Sequence, residues 1–155
     1  MPAAKGRWLV ELEQAPVVAV EKKKAKRKSP TARTLELARR RGWDAAVVER
    51  WNPHARVLHD LFGVVDVVVL DGRPGLLGVQ ATSDATGGNS GRRCEKIEAE
   101  PRAKRWLAAG LRLEVWAWRP VNGKAPGAKK KWSVRRIKAE LVDGEIAWDD
   151  VDETL

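Results

Sequence analysis

Asp66 is the first residue in the chain whose setting points to chemistry. It interrupts the otherwise apolar run Val64-Val65-Asp66-Val67-Val68-Val69-Leu70. A carboxylate inside a central strand is costly unless it is paired, bound to a metal or at an open edge. The next apolar run, Leu76-Leu77-Gly78-Val79-Gln80-Ala81-Thr82, carries two further polar residues. Side chains alternate along a strand, so Gln80 and Thr82 share one face. A short hairpin between the two runs brings that face beside Asp66. Glu36, from an upstream helix, is the candidate for another carboxylate above the sheet. An acid, an amide oxygen and a second acid make a site for a hard cation such as Mg²⁺ or Mn²⁺. A cation held this way can activate water and stabilise displacement at phosphorus. Glu49 and Asp60 are the competitors of Glu36 for the role of the extra acid.

Gly63-Val64-Val65-Asp66-Val67-Val68-Val69-Leu70 followed by Leu77-Gly78-Val79-Gln80-Ala81-Thr82-Ser83 resembles the core motif of the PD-(D/E)XK nuclease superfamily. The likeness is nearest to its small phage and prophage nucleases and to the related Holliday-junction resolvases. It spans roughly Thr31 to Arg119. The family pattern has a helix acid, an Asp on the second strand and Glu-x-Lys on the third. The resemblance implies a restriction-endonuclease-like α/β core, a central mixed sheet flanked by helices. It also implies a metal-dependent endonuclease acting on DNA. Carried onto this chain, the metal ligands are Glu36, Asp66, Gln80 and the Ala81 carbonyl, and Thr82 and Lys96 complete the catalytic set. Two positions depart from the pattern. Gln80 stands for Glu and brings an oxygen without a charge. Thr82 stands for Lys and brings no ammonium. Lys96, on the helix after a Gly-rich loop, is the candidate replacement, with Arg93 the alternative. If neither reaches the site, the fold binds DNA without cutting it. Junction-cutting relatives pair two sites, so a homodimer stays open.

Other residues read as phosphate contacts. Asn89, Ser90, Arg92 and Arg93 surround a helix start, where free N–H groups favour anions. Lys129-Lys130-Lys131 would extend a DNA-facing rim. His54 and His59, five residues apart in an uncertain element, read as surface residues. Cys94 reads as structural, and Trp116 and Trp118, on one strand face, as packing residues.

The elements that must position these groups fit one domain. The chain has 155 residues, and 43% apolar content supports a folded core over disorder. A single cysteine excludes an internal disulfide framework and a multi-cysteine zinc site. No apolar run approaches the ~20 residues of a membrane span, and no signal segment is evident at the N-terminus. The expectation is a soluble, cytoplasmic protein (host cytoplasm if phage-encoded) without a membrane partner. The net charge of +9 is unevenly spread. Residues 1–33 hold nine Lys/Arg and three Glu, whereas residues 140–155 hold seven acids and no Lys or Arg. That division suggests a basic, partly disordered arm over 1–30, a nuclease-like domain over 31–139 and an acidic segment over 140–155. The arm's run Glu21 to Pro30 could lie along a phosphate backbone.

Ser29-Pro30-Thr31 signals a helix start, and the spacing predicts a helix from Thr31 to Arg41 stopped by Gly42. Strands are expected over 45–48, 64–70 and 76–82, the latter two joined by a turn over 71–75. Residues 55–62 read as a linker or short helix. Helices follow over 92–100 and 101–109, then strands over 111–118 and 132–137 around a basic loop. Strands at Trp8–Val10 and Val17–Val20 are possible additions. The order predicts an α/β or α+β domain built on a mixed sheet.

Overall fold

A computed structural model describes residues 26–151. The possible strands at 8–10 and 17–20, and most of the basic arm, lie outside these residues. The first helix, α1 (Pro30–Arg40), starts where the sequence signals it. Ser29 Oγ accepts the Ala32 N–H at 3.1 Å, and Pro30 occupies the first turn, where its missing N–H costs nothing. Eight strands follow: β1 (Asp44–Val47), β2 (Arg50–Asn52), β3 (Val57–His59), β4 (Val67–Leu70), β5 (Leu77–Ser83), β6 (Arg112–Val121), β7 (Lys131–Val142) and β8 (Glu145–Asp150). Helices α2 (Asn89–Glu98) and α3 (Pro101–Ala108) lie between β5 and β6.

Six strands form one mixed sheet in the order β1-β4-β5-β6-β7-β8. Only β5 and β6 run parallel. A parallel pair needs a crossover, and α2 with α3 supplies it. The three helices pack against the sheet from two sides, giving an α/β architecture. On one face Leu35 and Leu37 of α1 pack with Val67, Val69, Leu77, Val79, Trp116 and Trp118. On the other, Ile97, Ala103 and Trp106 of α2 and α3 pack with Val64, Val65, Leu113 and Val115. Alternation along β5 therefore turns Val79 towards α1 and Gly78, Gln80 and Thr82 towards the α2/α3 side. Gly78 is needed there, because a Cβ would lie 2.9 Å from both Trp106 Cζ2 and Val65 Cγ2.

Two ion pairs tie the sheet, the first half-buried and the second buried. Arg112 grips Asp71 in the β4–β5 turn, through Nη1 at 2.9 Å and Nη2 at 2.5 Å. On the α1 face Glu114 receives Arg136 Nε at 2.8 Å, Arg136 Nη2 at 3.0 Å and Trp116 Nε1 at 2.7 Å. No helix among the described residues is long and apolar enough to cross a membrane.

Three segments differ from the sequence reading. Residues 50–59, expected to end a strand and enter a linker or helix, form the β2–β3 hairpin, a separate two-stranded sheet. Asn52 Oδ1 accepts the N–H groups of His54 and Ala55 at 3.0 and 3.1 Å and closes its turn. The strand expected from Val64 begins at Val67, because Leu61 and Val65 bond across a tight turn just before it. The acidic stretch, over its described residues 140–151, does not stand apart from the sheet. Through Asp150 it completes β7 and forms the edge strand β8.

Candidate metal centre

The backbone around Asp66 decides which groups meet. Its N–H donates to the Val79 carbonyl at 2.9 Å, the last ladder bond before β4 and β5 part. The Asp66 carbonyl accepts two donors, Val48 N–H at 2.9 Å and Glu49 N–H at 3.3 Å. Glu49, just past the end of β1, is thereby drawn beside Asp66. The β2–β3 hairpin leaves Glu49 and returns the chain at Asp60. One carboxylate oxygen from each of Glu49, Asp60 and Asp66 lies within 4.8 Å of the others.

Asp66 is 4% exposed and Gln80 1%. Asp66 Oδ2 accepts Gln80 Nε2 at 2.6 Å and Ala81 N–H at 2.9 Å, so the carboxylate satisfies the strand edge that β4 has vacated. Lys96 Nζ reaches from α2 to Asp60 Oδ2 at 2.8 Å. Thr31, at the start of α1, donates its hydroxyl to Glu49 Oε1 at 3.2 Å. These residues line an open cleft of about 540 Å³ together with Thr82, Ser83 and Arg93.

Burial is the main force raising the Asp66 carboxyl to about 7, with the hydrogen bond and negative charge of Asp60 adding to it. Burial also pushes Asp60 up. Hydrogen bonds from Asp66 and Lys96 outweigh it, and Asp60 stays below its ordinary value. The two acids therefore divide one proton, with Asp66 holding it near neutrality. Every donor here is oxygen, a set suited to Mg²⁺, Mn²⁺ or Ca²⁺ rather than to a thiophilic metal. The fit has a second support. Gln80 Oε1 is buried and is the one buried side-chain polar atom among the described residues without a hydrogen-bond partner. A buried amide oxygen without a partner, on a residue whose Nε2 already binds Asp66, is a donor the fold itself leaves unused.

Asp66, Gln80, Ala81, Thr82 and Lys96 come together as the sequence suggests, and Arg93 lines the same cleft. Ala81 contributes its N–H to Asp66, where a carbonyl ligand was expected. Glu36 is the clear correction. Its side chain pairs with Lys28 at 2.7 Å and lines a separate groove with Arg33, Arg40, Trp118, Lys131 and Trp132. Only the first turn of α1 touches the acid cleft, and Glu36 lies more than a turn further on. Glu49 takes the place given to Glu36, and Asp60 joins it.

Comparison with protein-family models, with curated proteins and with solved structures finds no match to the chain. The α2 start holds a second correction. Asp84 Oδ1 accepts the Asn89 N–H at 2.9 Å, and Asp84 Oδ2 accepts Ser90 Oγ at 2.9 Å. Asn89 Nδ2 is bound to the Ser83 carbonyl at 2.6 Å. A carboxylate of the chain itself thus occupies the donors expected to grip phosphate. Arg92 is exposed outside the cleft lining, and Lys129 and Lys130 are exposed on the β6–β7 loop. Lys131 opens β7 and faces the Glu36 groove. His54 and His59 are exposed on the hairpin. Burial, with Glu98 nearby, raises the Cys94 thiol to about 11, which keeps it protonated and unreactive.

Proposed function

We propose that this chain is a metal-dependent nuclease that hydrolyses DNA phosphodiester bonds, of the PD-(D/E)XK kind its motif resembles. The observation that carries the reading is the meeting of Glu49, Asp60 and Asp66 in a cleft also lined by Lys96 and Arg93. The element order also supports it: a helix, an antiparallel set β1-β4-β5, a helical crossover, then β6 parallel to β5. Asp66 enters the second strand of that set, and Gln80-Ala81-Thr82 lies on the third. That order supports the restriction-endonuclease-like core that the motif resemblance implies.

Glu49, Asp60, Asp66 and Gln80 Oε1 would hold Mg²⁺ or Mn²⁺. When bound, the cation lowers the pKa of a water and offsets charge developing on the phosphate. The chain's own residues do the rest. The hydrogen bond from Asp66, and then Lys96, hold Asp60 below its ordinary value, so this acid would offer a charged oxygen to the cation. Arg93 and Lys96 give the cleft positive charge for a phosphodiester backbone. Gln80 and Ala81 N–H fix the Asp66 carboxylate in one orientation.

The direct test is incubation with linear, branched and single-stranded DNA in the presence of Mg²⁺ or Mn²⁺. Cleavage lost in Asp66→Ala supports the assignment, and cleavage that survives it overturns the assignment. A second reading, DNA binding without cleavage, is favoured by one observation. Thr82 stands where the motif has Lys, and the Lys96 ammonium is engaged by Asp60. It predicts salt-dependent binding with no metal-dependent cutting.

A further inference from the structure

The β2–β3 hairpin stands outside the six-stranded sheet yet forms one wall of the acid cleft, through Val57 and Leu58. Trp51 and Leu58 are direct cross-strand partners, so their side chains project on the same side. Both are exposed, Trp51 by 55% and Leu58 by 53%. A large indole left in water beside an exposed leucine is unusual for a structural residue. The other large aromatics in this region are engaged: Phe62 meets the Trp106 ring edge-on, with Arg102 above its face. The charge of the hairpin is one-sided. Residues 50–59 contain Arg50, Arg56, His54 and His59 and no acid. Next to it lies the acid cleft, whose lining also carries Arg93 and Lys96. The hairpin therefore combines an exposed π face and an apolar neighbour on one side with Arg56 in its turn and no acid along its length.

We propose that this hairpin is a stacking platform for an unpaired nucleobase, with Trp51 the specificity-determining residue. The inference rests on the nuclease reading and deepens it. The substrate class it assigns is nucleic acid with unpaired nucleotides beside the scissile phosphate. An intact duplex keeps its bases stacked inside and offers Trp51 nothing to stack on. A single strand or the splayed arm of a fork offers a base directly, and stacking is tolerant of sequence. Arg56, in the hairpin turn, supplies the cation for a flanking phosphate, while Leu58 extends the apolar surface beside the indole.

The test uses the full chain in EDTA, with fluorescence anisotropy of end-labelled single-stranded DNA, single-stranded RNA, blunt duplex and fork. The wild type binds the fork and a single strand more tightly than the duplex, and the DNA and RNA arms identify which strand is preferred. Trp51→Ala weakens fork and single-strand binding about 5- to 100-fold and leaves duplex binding unchanged. Trp51→Phe retains most of the preference. Trp51→Leu keeps apolar bulk without a π face and behaves like the alanine variant. With an exposed side chain at this position, all three variants melt with the wild type. Equal affinities for fork and duplex, or a preference that survives Trp51→Ala and Trp51→Leu, overturn the platform and leave the nuclease reading standing. No binding to any of the four probes overturns both.

Discussion

Asp66→Asn separates the two roles of this carboxylate. Without a metal, Asp66 is held near its proton, with its pKa raised from 3.8 to about 7 chiefly by burial. The folded chain thus binds that proton more tightly than the unfolded chain. The associated stability is fully present below about pH 4 and is lost as pH rises towards 7 and beyond. At about 1.4 kcal/mol per pH unit, the ionised carboxylate costs at most about 4 kcal/mol at pH 8. Asp60, held low, acts in the opposite sense and reduces the measured slope. Asparagine has the shape of the protonated acid. Its oxygen can accept Gln80 Nε2 and Ala81 N–H, and its amide can donate towards Asp60. Urea denaturation in EDTA should therefore find the variant more stable than the wild type by about 1–4 kcal/mol at pH 8. The gap should shrink as pH falls and nearly close at about pH 3.5, where Asp66 keeps its proton in the unfolded chain as well. In a domain of this size each kcal/mol corresponds to about 2–4 °C in melting temperature. Added Mn²⁺ should reverse the ranking, stabilising the wild type by mass action and not the variant. A variant destabilised equally at both pH values, or one that gains as much from Mn²⁺ as the wild type, refutes the argument.

Three other outcomes follow from the same geometry. Glu49→Gln should weaken Mn²⁺ binding, measured by calorimetry, about tenfold or more, while Glu36→Gln should leave it unchanged because Glu36 is paired with Lys28 in another groove. Lys96→Met should cut DNA cleavage by about 10² or more while metal-dependent stabilisation persists, as read by parallel cleavage and melting assays. Gly78→Ala should destabilise the fold by about 1–3 kcal/mol in urea, because the new methyl meets Trp106 and Val65 at 2.9 Å.

Much of the sheet was legible because its strands are buried on both faces and read as long apolar runs. Asp66, Gln80 and Thr82 stand out against those runs, and strand alternation alone puts them on one side. The third and fourth site residues were harder. Choosing Glu36 required knowing which turn of α1 meets the cleft, and the sequence records the helix but not its axial position on the sheet. Glu49 belongs to the site because the Asp66 carbonyl takes two backbone donors at the end of β1, a tertiary event with no local signal. Asp60 was obscured because the strands of the hairpin that returns it are three residues each, too short for periodicity to register. The Asn52-Pro53 turn was the available clue. The helix start at Asn89 misled for a different reason: Asp84, five residues upstream, supplies from within the chain the anion expected from a ligand.

The pair of Glu114 and Arg136 on the α1 face carries a consequence for how this sequence can drift. Both side chains are almost fully enclosed, at 6% and 3% exposure. Losing either alone strands an uncompensated charge and costs about 3–5 kcal/mol, a large share of the stability of a typical domain. Losing both together to apolar residues of similar volume is close to neutral. The two positions are thus one inherited unit, separated by 22 residues of chain. Descendants of this sequence are expected to keep the pair whole or replace it whole, and Trp116, whose indole N–H needs the same carboxylate, is bound to the outcome.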